Sequence, residues 1–270
     1  MAANALVVSG DGINCDYETE WALNQAGFKA SRMHVSSLLS EPKQLEDFQL
    51  CVIPGGFSYG DEIASGKVLG IKLKERLNET LHNFVERGNL LMGICNGFQV
   101  LVSIGLLPDS EPDRPRIVSL LRNTEQKFVD RWVQLEVSKD SGNRFFKGLT
   151  EIDLPIRHGE GRLALEPSVT QTMAEHDAAH PTTRDRSHEH LVKERAPLRY
   201  RLDVNGSFDR IAALTNKAGT VLGLMPHPEA FVRWTQHPHW TTEKAAGKGQ
   251  VGDPPGLVIF KNALASIKEG

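Results

Sequence analysis

The most informative run in the sequence is a cysteine flanked by two glycines, Gly93-Ile94-Cys95-Asn96-Gly97. The cysteine directly follows the apolar run Leu90–Ile94, which predicts a buried parallel strand, and Gly97–Ile104 predicts a helix. Cys95 would therefore lie on a sharp strand-to-helix turn, the thiol counterpart of the G-x-S-x-G nucleophile elbow. The helix N-terminus would favour a thiolate, and the amide of Asn96 would face a developing oxyanion.

A histidine and a carboxylate follow another apolar run, Val221–Met225, in the sequence Pro226-His227-Pro228-Glu229. The two prolines restrict the loop, and Glu229 is placed to bond the second ring nitrogen of His227. A thiol, an imidazole and a carboxylate are the parts of a nucleophilic acyl-transfer site. We predict Cys95 as the nucleophile, His227 as its base and Glu229 as the orienting partner. The alternatives are a structural cysteine and a surface histidine–glutamate hydrogen bond.

A third loop, Pro54–Asp61, follows the short apolar run Leu50–Ile53. Its glycines, Gly55 and Gly56, allow backbone N–H groups to approach a ligand closely or to adopt a positive φ. By itself the Pro-Gly-Gly sequence also fits a plain turn. Together with the two other loops, it predicts the second oxyanion donor.

The composition excludes several other classes of protein. The 270 residues carry 31 Lys+Arg and 34 Asp+Glu, a formal net charge of -3 that does not indicate nucleic-acid or membrane binding. The apolar runs are too short to span a bilayer, and the first residues lack a secretory pattern. Three scattered cysteines form neither a disulfide framework nor a zinc set, so we expect a cytoplasmic protein without a metal. Cys51 fits packing in a strand, and nothing in the sequence activates Cys15, which lies in a loop.

Strand and helix signals alternate in the first half of the chain, which predicts a doubly wound, mostly parallel α/β sheet flanked by helices, of flavodoxin-like type. The second half adds antiparallel strands, with a hairpin at Asn205-Gly206 between Tyr200–Val204 and Phe208–Leu214. We predict a single domain over residues 1–270, with an exposed polar insertion at 166–197. The insertion contains His176, His180, His188 and His190, but its charged composition favours a solvated loop over a metal site.

The three motifs, Pro54–Asp61, Gly93–Gln99 and Met225–Glu229, resemble those of the class I, triad-type glutamine amidotransferases. They occur in order at matching strand ends, and the resemblance covers nearly the whole chain. The variants of the first two motifs look like those of the glutaminase subunits of de novo purine biosynthesis.

This resemblance implies L-glutamine as the substrate and a fold of the class I glutamine amidotransferase type. The amides of Gly56 and Asn96 would form the oxyanion hole, and Gln99 would help to hold the glutamine. The remaining pocket residues that it implies are Phe57, Arg131, Trp132 and Val133.

The resemblance also implies partners, because the released ammonia would pass to a separate synthetase subunit in a complex that includes a small accessory subunit. No cofactor is expected in this chain: the sequence has no G-x-x-x-x-G-K-[ST] motif, so ATP and Mg²⁺ would belong to the synthetase subunit. The insertion at 166–197 and the segment from His237 onward depart from the family pattern, which affects the expected contacts with partner subunits.

Three other readings are open. The first is an amidotransferase serving guanylate, cytidylate or anthranilate synthesis, against which the run Phe57–Asp61 argues. The second is a thiol hydrolase or chaperone of related α/β fold, which would lack a His-Pro-Glu sequence after a late strand. The third is a non-enzymatic interaction protein, which the intact Cys95, His227 and Glu229 disfavour.

Overall fold

A computed structural model describes residues 3–109, 116–139, 144–166, 186–247 and 252–269 of the chain. The strands, in chain order, are β1 (Asn4–Ser9), β2 (Lys29–His34), β3 (Leu50–Ile53), β4 (Leu90–Ile94), β5 (Val118–Leu121), β6 (Val129–Val137), β7 (Glu151–His158), β8 (Arg162–Leu165), β9 (Leu198–Tyr200), β10 (Ile211–Thr215) and β11 (Val221–Leu224). The α-helices are α1 (Asp16–Ala26), α2 (Val35–Ser40), α3 (Lys67–Glu86), α4 (Asn96–Ser103), α5 (Arg186–Glu194), α6 (Trp240–Ala245) and α7 (Pro255–Glu269).

Nine of the described strands form one sheet in the order β2-β1-β3-β4-β11-β10-β9-β6-β7. The strands from β2 to β11 in this order pair in parallel, and those from β11 to β7 pair antiparallel. Strands β5 and β8 form a separate antiparallel pair. The predicted fold class, a parallel sheet flanked by helices with added antiparallel strands, is confirmed, although the antiparallel part is larger than a hairpin.

The parallel strands form the centre of the core, because β3 and β4 are buried along their whole length. Helix α3 covers them with a stripe of leucines and a phenylalanine at helical spacing, Leu69, Leu73, Leu77, Leu81 and Phe84. Burying each such side chain contributes about 1.5–3 kcal/mol, so this layer fixes the strand ends that carry the predicted motifs.

The predicted two-residue hairpin at Asn205-Gly206 is wrong. Strands β9 and β10 do pair antiparallel, but residues 201–210 connect them. Asn205 is buried in this loop and its Nδ2 donates to the carbonyl oxygen of Gly161 at 2.8 Å. Gly206 has φ 79°, and a Cβ there would lie 1.9 Å from Oγ1 of Thr124. Asn205 and Gly206 therefore pack tightly against neighbouring loops instead of forming a hairpin turn.

The predicted exposed insertion is wrong for residues 186–197, which pack on the core. Val192 on α5 and the following Ala196 are buried. Arg195 lies 3.4 Å from Asp109, and its carbonyl oxygen accepts from the amide of Thr215 at 2.9 Å. Residues 167–185, which include His176 and His180, lie outside the described residues, and the single-domain partition stays a prediction. In the described part of the chain, no helix has the length and apolar character needed to cross a membrane.

Candidate active site

The turn at Cys95 has the strained geometry of a nucleophile elbow. Cys95 joins β4 to α4 with φ 50° and ψ -103°, a left-handed conformation that is unfavourable for a residue with a side chain. A Cβ on Gly97 would lie 1.9 Å from the carbonyl oxygen of Ile53, and one on Gly93 would lie 2.5 Å from that of Gly97. Both glycines are therefore required by close packing, as the G-x-C-x-G spacing predicts.

His227 and Glu229 follow β11, the strand next to β4 in the sheet, and the pairing of Leu224 with Ile94 brings their loop beside Cys95. The Nδ1 of His227 lies 2.6 Å from Oε1 of Glu229, and both side chains are buried. Because a carboxylate accepts at Nδ1, this nitrogen carries the proton and Nε2 is left for proton transfer.

The pKa of His227 reflects opposing effects of its buried surroundings. Burial disfavours the charged ring, but Glu229, then Cys95, and also Cys15, raise the pKa of His227 well above its ordinary value. An imidazolium held in this way is the natural partner of a thiolate.

The Pro-Gly-Gly loop lies against the side chains of Cys95 and His227. A Cβ on Gly55 would lie 2.8 Å from Cε1 of His227 and 3.4 Å from Cβ of Cys95. Gly56 has φ 146°, and a Cβ there would lie 2.6 Å from the carbonyl oxygen of Gly12. Asn96 is the first residue of α4, so its amide N–H has no acceptor within the helix. The placement fits oxyanion donors at Gly56 and Asn96, which stay a prediction.

A cavity of about 310 Å³ opens above Cys95. Its walls include four of the predicted residues, Gly56, Phe57, Cys95 and Gln99, together with Asp61, Ser65, Arg122, Gln126, Lys127, Phe128, Arg157, His158, Gly159 and Glu160. The basic residues of this wall are Arg122, Lys127 and Arg157, and the acidic ones are Asp61 and Glu160. The guanidinium of Arg122 lies 3.5 Å from Glu160, and that of Arg157 lies 3.8 Å from Glu18. Burial raises the pKa of Asp61 above its ordinary value.

The structure does not bring Arg131, Trp132 and Val133 to this cavity. Trp132 packs edge-on against Phe231 at 4.9 Å and His237 at 4.7 Å between ring centroids, Val133 is buried, and Arg131 is exposed. Strand β6 begins at Val129 and runs away from the cavity, so the segment just before the strand, Lys127 and Phe128, lines it instead.

Gln99 lines the cavity, but its amide is engaged with protein. Its Nε2 donates to the carbonyl oxygen of Glu160 at 2.5 Å, and its Oε1 accepts from Nδ2 of Asn96 at 3.0 Å. Asn96 also accepts from the amide of Ser58 at 3.3 Å and donates to Asp61 at 3.2 Å. These hydrogen bonds connect α4 to the loop that contains Ser58 and Asp61 and to the loop that contains Glu160.

His158 lines the cavity, although the sequence analysis predicts no role for it. Its Nδ1 lies 3.0 Å from Oδ1 of Asn123, which also accepts from the amide of Gly161 at 3.2 Å, while Nδ2 of Asn123 donates to the carbonyl oxygen of His158 at 2.8 Å. Asn123 is therefore oriented as the acceptor, and Nδ1 carries the proton. Burial, and secondarily His227, lower the pKa of His158 to about 4. The sequence signal for it is the run His158–Arg162, which begins at the last residue of β7.

Cys15, which the sequence places in an unremarkable loop, lies beside the triad. It is buried at the start of α1, and its amide donates to the carbonyl oxygen of Gly55 at 3.2 Å. Burial raises the pKa of the Cys15 thiol to about 11, so it is not activated as a nucleophile. Among the described residues, Cys15, His227 and Glu229 form a group with metal-ligand spacing. Cys51 is buried in β3, as expected for packing.

The site thus combines a thiol on a strained strand-to-helix turn with a buried His–Glu pair at the end of a neighbouring parallel strand. Residues 2–265 match the family model described as "CobB/CobQ-like glutamine amidotransferase domain". The site and this match together define a glutamine amidotransferase domain. Phosphoribosylformylglycinamidine synthase subunit PurQ of Dehalococcoides mccartyi is 38% identical over 259 residues, which cover 96% of this chain and 95% of that relative. The PurQ subunit of Methanococcus maripaludis is 35% identical over 271 residues, with 98% of each chain covered.

The fold matches a chain of the solved structure of PurLQS from Thermotoga maritima, with a TM-score of 0.69 and 32% identity over 98% of this chain and 99% of that chain. The chain belongs to the PurQ family of phosphoribosylformylglycinamidine synthase subunits.

Proposed function

We propose that this chain is the glutaminase subunit of a phosphoribosylformylglycinamidine synthase. It hydrolyses L-glutamine to glutamate and ammonia, and the ammonia passes to a synthetase subunit that converts formylglycinamide ribonucleotide to the amidine with ATP. The observation that carries the proposal is the placement of Cys95, on a strained elbow at the cavity floor, beside the buried pair of His227 and Glu229.

The reaction begins with proton transfer from Cys95 to Nε2 of His227. Glu229 favours this step because its carboxylate stabilises the imidazolium through the 2.6 Å contact at Nδ1. The thiolate then attacks the side-chain carboxamide carbon of glutamine, and the carbonyl oxygen becomes an oxyanion. The amides of Gly56 and Asn96 are the donors assigned to that oxygen, each contributing about 2.7–4 kcal/mol to transition-state stabilisation.

Collapse of the tetrahedral intermediate needs a proton on the departing nitrogen. His227 gives its Nε2 proton to that nitrogen, ammonia leaves, and a γ-glutamyl thioester stays on Cys95. Water, deprotonated by the same imidazole, attacks the thioester and releases glutamate and the free thiol. Each proton taken by His227 is therefore returned within the cycle.

The α-carboxylate and α-ammonium groups of glutamine need partners of opposite charge. Lys127 and Arg157 on the cavity wall suit the carboxylate, and Asp61 and Glu160 suit the ammonium. The exposed ring of Phe57 lies 6.2 Å from that of Phe128 at the rim, where the two rings limit the width of the opening.

The proposal extends to the surroundings of the chain. ATP and Mg²⁺ are assigned to the synthetase subunit, a small accessory subunit completes the complex, and the chain itself takes no cofactor. A cytoplasmic location is supported by three cysteines that are all free. The PurQ relatives favour this function over amidotransferases of guanylate, cytidylate or anthranilate synthesis.

The test is glutamate release from glutamine by the wild type and by Cys95→Ser, each with and without the synthetase subunit. We expect low activity for the isolated wild-type chain, stimulation by the synthetase subunit, and no activity above background for Cys95→Ser in either condition. Retained activity in Cys95→Ser would refute the mechanism. Equal rates with and without the synthetase subunit would refute the coupling.

A further inference from the structure

The thiol of Cys15 meets the catalytic base and its carboxylate at the end of the sheet. Cys15 follows β1, whereas His227 and Glu229 follow β11. The Cys15 sulfur, an imidazole nitrogen of His227 and a carboxylate oxygen of Glu229 all lie within 4.8 Å of one another. All three side chains are buried, with relative exposures of 7%, 2% and 1% for the three residues.

Two polar atoms of this group have no hydrogen-bond partner among the described residues. They are Nε2 of His227 and Oε2 of Glu229, and both atoms are shielded from solvent. An unpaired buried carboxylate oxygen is costly, so Oε2 of Glu229 favours a ligand that supplies positive charge. The glutaminase mechanism uses Nε2 but makes no use of the Cys15 thiol or of Oε2.

A thiolate, an imidazole and a carboxylate form a ligand set that zinc accepts. Tetrahedral zinc, with bonds of roughly 2.0–2.3 Å, places its ligand atoms roughly 3.3–3.8 Å apart, so atoms that lie within 4.8 Å of one another must move together by about 1 Å to hold the ion. We propose that Cys15, His227 and Glu229 form an inhibitory site for a thiophilic divalent cation of the Zn²⁺ type. Only the inhibition rests on the proposed function; the binding does not.

Binding of the ion stops catalysis because it occupies the base. With a ring nitrogen coordinated, His227 can neither take the Cys95 proton nor protonate the leaving nitrogen. The Cys15 thiol exchanges its proton for the metal, so one S–H bond breaks, one S–metal bond forms, and a proton enters solvent. Because the Cys15 thiol must lose its proton to bind the metal, the affinity increases as the pH rises through the neutral range.

Glu18 supplies the approach to the site. Its carboxylate interacts with the Cys15 side chain and lies 3.8 Å from the guanidinium of Arg157, and its own side chain is 37% exposed. A cation arriving from solvent therefore meets a carboxylate before it reaches the buried thiol. Burial, followed by the charge of Glu229, raises the pKa of Glu18, as expected where carboxylates share a poorly solvated site.

Direct binding is measured with Co²⁺ as the probe, by the thiolate-to-cobalt absorption band, in thiol-free buffer. We expect the band in the wild type and in Cys95→Ser, which lacks the nucleophile but keeps the three ligands, and its loss in Cys15→Ser. Cys51→Ala is the matched control, because Cys51 is buried in β3 away from the group and its replacement keeps the band. A band that persists in Cys15→Ser, or that disappears in Cys95→Ser, overturns the site.

Inhibition is measured by glutamate release from the complex with the synthetase subunit, while ZnCl₂ is increased and EDTA then added. Each variant is compared with its own metal-free rate. We expect reversible inhibition of the wild type, and an inhibitory concentration at least about tenfold higher for Cys15→Ser, as for loss of a metal-site partner. Equal inhibitory concentrations of ZnCl₂ for the wild type and Cys15→Ser overturn the proposal. A complex that releases no glutamate without zinc contradicts the proposed function instead, and the cobalt band still decides the site.

Discussion

The imidazole Nδ1 of His227 lies 2.6 Å from Oε1 of Glu229, at the end of a strand that runs parallel to the strand ending at Cys95. This contact fixes which ring nitrogen faces the thiol and places a negative charge behind the base. The carboxylate is the main group that raises the pKa of His227, against the opposing effect of burial.

Replacing Glu229 by Gln removes that charge and keeps the size of the side chain. We expect kcat for glutamate release to fall by roughly 10²–10⁴-fold with a smaller effect on KM, because the imidazolium loses its support in the transition state. The pH dependence of kcat measures the change. The exposed Glu46, paired with Arg87 at 3.4 Å, gives the control Glu46→Gln, which keeps the wild-type profile. An unchanged kcat in Glu229→Gln would remove this residue from the mechanism.

Gly97→Ala tests the packing that makes the elbow. The added Cβ would lie 1.9 Å from the backbone oxygen of Ile53, which cannot move without displacing β3. We expect the free energy of unfolding to fall by roughly 3 kcal/mol, measured by urea denaturation. Gly159→Ala is the control, since its Cβ would meet only Phe128 at 3.8 Å. Equal stability of the two variants would contradict the packing account.

His158 is predicted to make stability depend on pH. Its pKa is about 4 in the folded protein, against about 6.5 for an unperturbed histidine. Between these values the unfolded chain binds the extra proton, so this contribution is complete above about pH 6.5 and is lost as the pH falls towards 4.

As the pH falls through that window, the free energy of unfolding should decrease by about 3 kcal/mol less in His158→Gln than in the wild type, given roughly 1.4 kcal/mol per pKa unit. The measurement is urea denaturation at pH 7 and pH 4.5. His34 is exposed, and His34→Gln serves as the control that keeps the wild-type slope. A wild-type slope in His158→Gln would mean that His158 does not carry this pH dependence.

We predict that charged residues of the cavity wall bind glutamine, whereas residues outside the cavity only support the fold. We expect Lys127→Ala and Arg157→Ala to raise KM for glutamine several-fold to tenfold, because each removes a basic residue of the cavity wall. Trp132→Phe, which changes a ring packed against Phe231 and His237, should leave KM unchanged. A raised KM for Trp132→Phe alone would restore the 131–133 segment to the pocket.

The catalytic residues are accessible from sequence because each follows a run of buried strand residues. The turn at Cys95 requires glycine at positions 93 and 97, because a Cβ at either position would clash with backbone atoms. The requirement is therefore visible in the sequence as the G-x-C-x-G spacing. The parallel core follows from the same apolar runs, since strands such as β3 and β4 are buried on both faces.

The remaining parts of the site depend on contacts between distant segments. The position of Cys15 is set by the pairing of β1 with β3, which brings its loop against Gly55, and no local pattern encodes that pairing. Asn205 has the sequence of a hairpin turn, but its side chain bonds a loop 44 residues away. Strand β2, at the edge of the sheet, is polar and partly exposed, so it lacks the apolar run of a core strand.

Covalent labelling distinguishes Cys95 from the two other thiols as the nucleophile that attacks glutamine. The wild-type complex is treated with an electrophilic glutamine analogue, with and without excess glutamine, and the modified peptide is identified by mass spectrometry. We expect one label per chain, on Cys95, that glutamine prevents and that parallels the loss of glutamate release. A label on Cys15 or Cys51 with Cys95 unmodified, or inactivation that glutamine does not slow, would contradict it.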